Sequence, residues 1–163
     1  MSIIIFWCWG LDLGFKNAGF EVIWANEFDK SIWETFQTNF PYTELDKRSI
    51  TQIKSEEIPE VDGFIGGPPC QSWSEAGARR GIHDSRGKLF HDYIRLLKNK
   101  KPRFFLAENV AGILHPKHAE AFSNSLIIFE NAGFDVSYRL LNAHDFNVPQ
   151  DRKRVIIIDY WLS

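Results

Sequence analysis

Short apolar runs alternate with amphipathic segments along the whole chain. The apolar runs predict strands at 2–7, 20–25, 61–65, 103–107, 136–141 and 155–160. Apolar residues at helical spacing predict helices between them, at 11–18, 29–39, 88–98 and 117–131. Such alternation is typical of a mainly parallel sheet with helices on both faces. The pattern therefore predicts an α/β fold.

Local signals set several of the predicted boundaries. Gly19 and Gly133 are placed to end the first and the last helix, and Asp29 is placed to cap the second. The last two strands are close enough in sequence to pair as a hairpin around "NAHDFNVPQDRKR". The third helix should bury an apolar face made of Leu89, Tyr93, Leu96 and Leu97.

Length and composition indicate one globular domain. The chain has 163 residues, 44% of them hydrophobic and 25% charged, and a chain of this size can bury roughly 70% of its unfolded surface. The net charge of −2 gives no overall basic field, although a local basic surface could still meet nucleic acid. Two cysteines are too few for a disulfide framework, which fits a reducing cytoplasm.

The N-terminal run "IIIFWCWGL" is apolar but short. It has no preceding Lys or Arg and no small-residue cleavage site. We interpret it as a buried strand and not as a signal peptide or a membrane span.

Four polar stations come directly after predicted strands. They are Cys8–Gly10, Asn26–Glu27, Pro69–Gln71 and Glu108–Asn109. In open parallel sheets, ligands bind beyond the carboxyl ends of the strands. We therefore expect these stations to lie along one edge of the sheet and to form a site there.

Cys70 and Glu108 are the candidates for covalent chemistry at this edge. Cys70 follows the rigid stretch "GGPP", and a cysteine attacks as its thiolate. Glu108 follows "FFLA", so we expect partial desolvation to favour its neutral, proton-donating form. Taken singly, Cys70 fits a core thiol and Glu108 fits a surface carboxylate or a helix cap. Together, at two strand ends, they favour catalysis.

Three further motifs carry a family resemblance. "GGPPCQSWS" resembles the Pro-Cys-Gln motif of the cytosine-C5 DNA methyltransferases, "AENV" (107–110) their Glu-Asn-Val motif, and "QDRKR" (150–154) their Gln-x-Arg-x-Arg motif. "GLDLGFKNAGFEVIWANEFDKSIWETF" resembles the segment after their cofactor loop. The order and spacing agree over nearly the whole chain, and the likeness is greatest to bacterial modification methylases of the HaeIII type.

The resemblance implies a fold and a mechanism. The fold would be a Rossmann-like, S-adenosylmethionine-dependent methyltransferase sheet flanked by helices. Cys70 would attack C6 of a cytosine flipped out of double-stranded DNA, and Glu108 would hold N3 and favour its protonation. C5 would then take the methyl group of S-adenosylmethionine, and loss of the C5 proton and of Cys70 would restore the ring.

The resemblance also implies roles for other residues. Arg152 and Arg154, supported by Gln150, would hold the target base or the backbone; seen alone, "QDRKR" is a solvated basic turn. Glu27 would accept from the cofactor ribose and Phe28 would stack on its adenine, although both also fit a helix-capping segment. Further cofactor contacts would come from Phe6, Gly10, Ser49, Ile50 and Pro69.

DNA contacts are implied mainly for the segment 78–90. It would form a mobile loop over the flipped base; without the resemblance it is an exposed flexible loop. The DNA-binding residues implied here are Gln71, Ser72, Arg79, Arg80, Arg86, Lys88, Asn109 and Val110. The histidines show no metal-ligand spacing, so we expect no metal site.

Two positions depart from the family pattern. The family expects Phe-x-Gly-x-Gly after the first strand, whereas "FWCWGLDLG" is one residue shorter and keeps only Gly10 of the small residues. Trp7, Cys8 and Trp9 place bulk where the methionine end of the cofactor would pass, or simply extend the core strand. Ser49 stands where the family has an Asp near the adenine, and Asp46 is out of register.

A third departure concerns the chain end. The family continues with a target-recognition region, a supporting motif and a segment that completes the cofactor pocket. We therefore expect residues 1–163 to be the catalytic lobe of a truncated or degenerate enzyme without its recognition lobe. Alternatives are a non-enzymatic remnant or binding module, and half of a split enzyme completed by another chain or by self-association. A thiol hydrolase is less favoured because no His lies in a hydrolase signature.

Overall fold

The computed structural model describes residues 1–6, 9–68 and 85–160, and leaves aside the side chains at 9, 85–87 and 160. Within these ranges the strands are β1 (Ser2–Phe6), β2 (Glu21–Asn26), β3 (Glu44–Asp46), β4 (Gly63–Gly66), β5 (Phe104–Val110), β6 (Ser137–Asn142) and β7 (Lys153–Tyr160). They form a seven-stranded sheet in the order β3-β2-β1-β4-β5-β7-β6. The predicted α/β sheet is confirmed.

Helices occupy the segments between the strands, as predicted. They are α1 (Trp9–Asn17), α2 (Trp33–Asn39), α3 (Ser85–Lys100) and α4 (Ala119–Asn131). Gly19 and Gly133 follow α1 and α4 with φ of 86° and 100°, a conformation that favours glycine. No helix in the described ranges is long and apolar enough to cross a membrane.

The predicted start of α2 was wrong. Asp29 does not cap this helix, because its carboxylate accepts from the backbone N–H of Ser31 at 2.9 Å and from the Ser31 hydroxyl at 2.7 Å. Such a local turn competes with helix formation. The helix therefore begins later, at Trp33, after an Ile32 N-cap with no side-chain hydrogen bond.

Strand pairing explains why one strand is longer than predicted. β1 to β5 pair in parallel, and β7 runs antiparallel between β5 and β6, which confirms the predicted hairpin. The pairing of β5 with β4 ends at Ala107, but its pairing with β7 continues to Val110. Glu108 and Asn109 are therefore residues of β5 itself, in the part that pairs with β7 alone, and do not follow the strand as predicted.

The three-residue strand β3 was not among the elements that the periodicity predicts. It is too short to show an alternating pattern, and it forms by parallel pairing with the end of β2. This pairing places Asp46 beside Asn26 at the edge of the sheet where the polar stations were expected.

Two apolar clusters cover the two faces of the sheet. The larger one packs α3 and α4 onto the sheet and includes Phe6, Phe64, Tyr93 and Phe105. The predicted face of α3 is confirmed, since Tyr93, Leu96 and Leu97 are fully buried and Leu89 is partly buried. The smaller cluster lies on the opposite face and comprises Ile3, Ile5, Val22 and Ile65, with Leu11, Phe15, Phe20, Phe40, Phe104 and Leu106 packed against it.

Candidate active site

The carboxyl ends of four neighbouring strands meet at one edge. Phe6 at the end of β1 is in register with Asn26 of β2 and with Gly66 of β4, and Gly66 is in register with Ala107 of β5. The stations at Asn26–Glu27 and Glu108–Asn109 therefore share this edge, as predicted. Gly10 lies in the first turn of α1, directly after β1.

The predicted nucleophile lies outside the described residues. This nucleophile is Cys70. Five other predicted site residues also lie outside the described ranges, together with the side chain of Arg86: Pro69, Gln71, Ser72, Arg79 and Arg80. The described chain reaches the buried Pro68, whose carbonyl accepts from the Asn109 side-chain amide at 3.2 Å. Asn109 is 3% exposed, and its side-chain oxygen accepts from the N–H of Val110. This burial favours a structural role for Asn109 over the predicted DNA contact.

Glu108 is paired with an arginine of the predicted basic motif. The Arg154 Nε lies 2.6 Å from Oε1 of Glu108, and the two side chains are 25% and 19% exposed. Arg154 is in register with Val110, on the strand that runs beside Glu108. Arg154 was predicted to contact the target base or the DNA backbone. In the structure its guanidinium instead contacts Glu108, the candidate acid.

A cavity of about 580 Å³ opens beside this pair. Arg152 and Arg154 lie on one side of it and Gly10 on another, so the cavity brings predicted catalytic and cofactor residues together. Gln150 is exposed on the loop that precedes Arg152. The cavity is lined by Gly10, Leu11, Glu108, Val110, Leu141, Ala143, Phe146, Arg152, Arg154 and Ile156.

Asn142 organises the loop that carries Arg152. Its side-chain oxygen accepts from the N–H of Arg152 at 2.9 Å, and its amide donates to Asp151 at 2.8 Å. The N–H of Ala143 donates to the Arg152 carbonyl at 3.0 Å and closes the loop. The sequence analysis did not single out Asn142, since only its place at the end of a predicted strand distinguishes it.

Glu27 is held firmly at the end of β2. It is 8% exposed, and its Oε1 accepts from the N–H of Asp29 at 2.7 Å. The indole N–H of Trp33 donates to the Glu27 carbonyl at 2.8 Å, a contact that the sequence analysis missed. Phe28 is 64% exposed and offers an open ring at the same strand end.

The remaining predicted cofactor residues are placed differently. The side chains of Phe6 and Ile50 are 0% and 1% exposed and belong to the larger core cluster, so neither offers side-chain surface to a ligand. Ser49 caps the short 3₁₀ helix Ile50–Gln52. The carboxylate of Asp46 forms an ion pair with Arg48 at 2.6 Å and is therefore already engaged within the protein.

Asp12 is a buried carboxyl that the sequence analysis did not consider. It lies in the first turn of α1 and is 1% exposed, and neither of its carboxyl oxygens has a hydrogen-bond partner among the described residues. Burial, and secondarily the charge of Glu27, raise the pKa of Asp12 from 3.8 to about 7. An unpaired buried acceptor at this edge suits a ligand that brings a hydrogen-bond donor or a positive charge.

The predicted DNA-contact residues that are described lie at the surface, apart from Asn109. Lys88 near the start of α3 is exposed, and Val110 is 41% exposed. Across the described ranges, no three His, Cys, Asp or Glu side chains are grouped so that they could hold a metal ion.

Comparisons with known proteins agree on one family. Residues 7–160 match the family model of the C-5 cytosine-specific DNA methylases. The chain is 58% identical over 154 residues to the Type II methyltransferase M.NgoPII of Neisseria gonorrhoeae, covering 94% of this chain and 45% of that relative. It is 57% identical to M.FnuDI of Fusobacterium nucleatum, covering 93% of this chain and 44% of that one.

A solved structure gives the same result for the fold. The structure of a DNA modification methyltransferase encoded within an E. coli prophage superposes with a TM-score of 0.82 at 30% identity, covering 98% of this chain and 46% of that one. The chain therefore spans about half the length of the relatives it matches.

Proposed function

The chain belongs to the C-5 cytosine-specific DNA methylase family, and from this we propose that residues 1–163 form the catalytic lobe of a DNA (cytosine-5)-methyltransferase. The observation that carries the proposal is the Glu108–Arg154 pair at the mouth of a cavity, next to the strand end that leads to Cys70. The Asn109 amide, bound to Pro68, anchors the start of the Cys70 segment.

In this proposal Cys70 and Glu108 act on the same cytosine ring. The Cys70 thiolate forms a bond to C6, and the electron pair of the C5–C6 double bond moves into the ring as Glu108 holds N3 and favours its protonation. This makes C5 nucleophilic. Once C5 has formed a bond to the methyl group that bound S-adenosylmethionine would supply, the C5 proton passes to water, its bonding electrons restore the C5–C6 double bond, and the Cys70 thiolate leaves C6.

Arg154 and Arg152 have separate parts in the proposal. Arg154 fixes the orientation of the Glu108 carboxyl through the ion pair, while the exposed Arg152, which lines the same cavity, meets the base or the DNA backbone. Gln150 supports that loop. The segment with Arg79, Arg80, Arg86 and Lys88 contacts phosphates over a flipped base in double-stranded DNA.

The proposed cofactor is S-adenosylmethionine, which supplies the electrophilic methyl group when bound. The fit is supported by the exposed ring of Phe28 beside Glu27 and by the two unpaired oxygens of Asp12. Phe28 suits the adenine, Glu27 the ribose hydroxyls, and Ser49 the adenine edge. Gly10 leaves space for the methionine end, since a Cβ there would meet none of the described residues within 4 Å, its chain neighbours aside.

We expect the shortened cofactor loop to lower the affinity of the chain for S-adenosylmethionine. Trp7, Cys8 and Trp9 replace glycines whose backbone would approach the ligand closely. We expect the chain to bind S-adenosylmethionine weakly or not at all in a calorimetric titration, and restoration of a Gly-x-Gly loop to improve the affinity. Micromolar binding by the unmodified chain would contradict this expectation.

The chain's length relative to its relatives leads to a proposal about partners. A lobe without a recognition region makes few base contacts and selects sequence poorly. We propose that a separate target-recognition chain or a second copy of this chain completes the enzyme, and that the enzyme acts in the cytoplasm. The alternative is a non-enzymatic remnant or binding module, which an intact Cys70 and Glu108 beside an altered cofactor loop permits.

Trapping on 5-fluorocytosine DNA tests the catalytic proposal. Fluorine at C5 cannot leave as the proton does, so the Cys70–C6 bond would persist. We expect no methylation by the chain alone. With the missing lobe and a Gly-x-Gly loop supplied, a labelled duplex should form a covalent adduct visible on a denaturing gel.

Two variants assign the chemistry. Cys70→Ser should abolish the adduct, and Glu108→Gln should slow its formation. An adduct that persists in Cys70→Ser would show another nucleophile. No adduct in the completed enzyme would favour the binding module, and efficient methylation by the unmodified chain would refute the need for a partner.

A further inference from the structure

The two edge strands of the seven-stranded sheet differ in how well they are protected. Among the described strands, β3 forms one edge with three residues, and β6 forms the other with six residues in unbroken register with β7. Natural proteins shield a sheet edge by shortness, charges, prolines or bulges, because its unpaired N–H and C=O groups can bind another strand. β6 contains no proline and no bulge, and its one charged residue is Arg139. It is therefore an edge that can accept a further strand.

Apolar side chains on β6 favour such pairing. Tyr138 and Leu140 alternate along the strand on the side of the sheet that carries α4, and they are 51% and 44% exposed. Tyr138 packs edge-on against Phe122 of α4, with ring centroids 4.9 Å apart, and still leaves half of its surface exposed. Half-exposed side chains of this kind lose apolar surface to a cross-strand neighbour when another strand pairs beside them.

We propose that β6 pairs antiparallel with β6 of a second copy of the chain. A two-fold axis perpendicular to the sheet brings the identical strands together in this direction and joins the two seven-stranded sheets into one. Main-chain hydrogen bonds between the strands supply the attraction. The contact surface of two six-residue strands is small, so the dimer forms reversibly.

Charge selects the register of this pairing. Paired residues point to the same face, so the two-fold axis passes through one residue of β6. An axis at Arg139 would set two arginines directly opposite each other, which is destabilising. An axis at Leu140 gives Arg139 no carboxylate in an opposite or diagonal position. An axis at Tyr138 sets the two tyrosines opposite each other and places Arg139 diagonally across from Asp135 of the second copy, within reach of a long side chain.

The two charged side chains are available for this contact. Arg139 and Asp135 are both exposed, and neither forms an ion pair with another described residue. The two-fold axis makes the contact between Arg139 and Asp135 twice, which outweighs the single diagonal approach of the two arginines to each other. The net charge of −2 on each chain opposes association only weakly.

The dimer keeps the two candidate active sites apart. β6 runs parallel to β5, since both are antiparallel to β7, so β6 ends at the same edge of the sheet as the cavity. Antiparallel pairing reverses the second sheet, and the two cavities then lie at opposite edges of the joined sheet. The inference goes beyond the proposed function and does not rest on it, because the pairing uses neither Cys70 nor Glu108.

Sedimentation equilibrium of the 163-residue chain over a concentration series tests the dimer. We expect a monomer–dimer equilibrium. Tyr138→Glu should raise the dissociation constant of the dimer by about tenfold, because it replaces an aromatic pair by two like charges that face each other. Tyr42→Glu is the matched control: Tyr42 is 98% exposed shortly before β3, at the other edge of the sheet, so its substitution should leave the constant unchanged.

Charge reversal tests the register. Arg139→Glu and Asp135→Lys should each weaken the dimer several-fold, and the two changes combined should restore it, because the same pair is rebuilt with its charges exchanged. Both positions are exposed, so each variant should fold, and thermal unfolding checks that it does. A combined variant that dimerises no better than either single variant would overturn the pairing of Arg139 with Asp135.

Amide hydrogen exchange distinguishes strand pairing from other modes of association. The alternate N–H groups of β6 that point away from β7 should become protected as the chain concentration rises. The assay needs neither cofactor nor DNA. A monomer at every concentration, equal effects of Tyr138→Glu and Tyr42→Glu, or a dimer whose β6 amides stay unprotected would each overturn the inference.

Discussion

At the scale of single residues, the site contains two carboxyls in opposite situations. Glu108 is partly exposed and is paired with Arg154 at 2.6 Å. The carboxyl of Asp12 is buried without a hydrogen-bond partner in the described part of the chain, and its pKa is raised to about 7. A paired carboxyl is held in one orientation for chemistry, whereas the unpaired one lowers the stability of the fold when it ionises.

Asp12 should make stability depend on pH. Because the pKa of Asp12 is raised from 3.8 to about 7, the folded chain keeps a proton that the unfolded chain loses in this range. Its contribution therefore favours folding most at acidic pH and declines as pH rises from about 4 to 7, by at most about 1.4 kcal/mol per pH unit. Above pH 7 the decline ends.

Urea unfolding of the unmodified chain and of Asp12→Asn between pH 4 and 8 measures the contribution of Asp12 to the free energy of unfolding. The difference in unfolding free energy between the two should move in favour of Asp12→Asn as pH rises to 7. Subtraction removes the carboxyls with lowered pKa, such as Asp62, which act in the opposite direction. A constant difference across this range would show that Asp12 finds a partner.

At the scale of elements, the end of β4, which precedes Cys70 in the sequence, makes a close contact with α3. A Cβ at Gly66, the last residue of β4, would lie 2.8 Å from the Tyr93 ring of α3. Tyr93 is fully buried and packs edge-on against Phe6, with ring centroids 5.6 Å apart. The glycine at this strand end thus permits the close packing of α3 beneath the candidate site.

Gly66→Ala should destabilise the fold by about 1–3 kcal/mol, because the Tyr93 ring has no room to move. Gly14→Ala is the matched control: it lies inside α1, and a Cβ there would meet nothing within 4 Å. That change should stabilise the chain by about 0.5–1 kcal/mol. Chemical unfolding of both variants decides, and equal effects would contradict the packing argument.

At the scale of the whole molecule, the described elements cover the two sides of β7 unequally. The α3 and α4 side buries β7 residues such as Val155 and Ile157 fully, while Ile158 on the other side is 45% exposed. Among the described residues, the two sides of β7 therefore differ in how completely their apolar side chains are covered.

If a separate target-recognition chain completes the enzyme, as proposed above, the unfolding midpoint of this chain should rise when the part of M.NgoPII outside the matched region is added as a separate polypeptide. A ligand that binds only the folded state at a concentration of 100 times its dissociation constant stabilises that state by about 2.7 kcal/mol. Differential scanning fluorimetry over a concentration series measures the shift. A midpoint that is independent of partner concentration would contradict docking on the folded chain.

The sequence by itself determined the strand and helix order, the edge at which polar residues gather, and the family. The periodicity of apolar residues predicts the order of strands and helices. The common direction of the parallel strands predicts the edge where the polar residues gather, and ordered motifs such as "PPCQ" and "AENV" indicate the family. Short or pairing-dependent features escaped it. The strand Glu44–Asp46 shows no period, and β5 runs on to Val110 only because β7 pairs with it.

Only the tertiary structure decided which side chains meet. The pairing of Glu108 with Arg154, the anchoring of Pro68 by Asn109, and the isolation of Asp12 join residues from different elements. The structure likewise separates Ile157 from Ile158: the two are identical in a hydrophobicity pattern but lie on opposite faces of β7, one fully buried and one 45% exposed. A linear pattern records what each residue prefers, whereas burial and pairing depend on what the fold places opposite it.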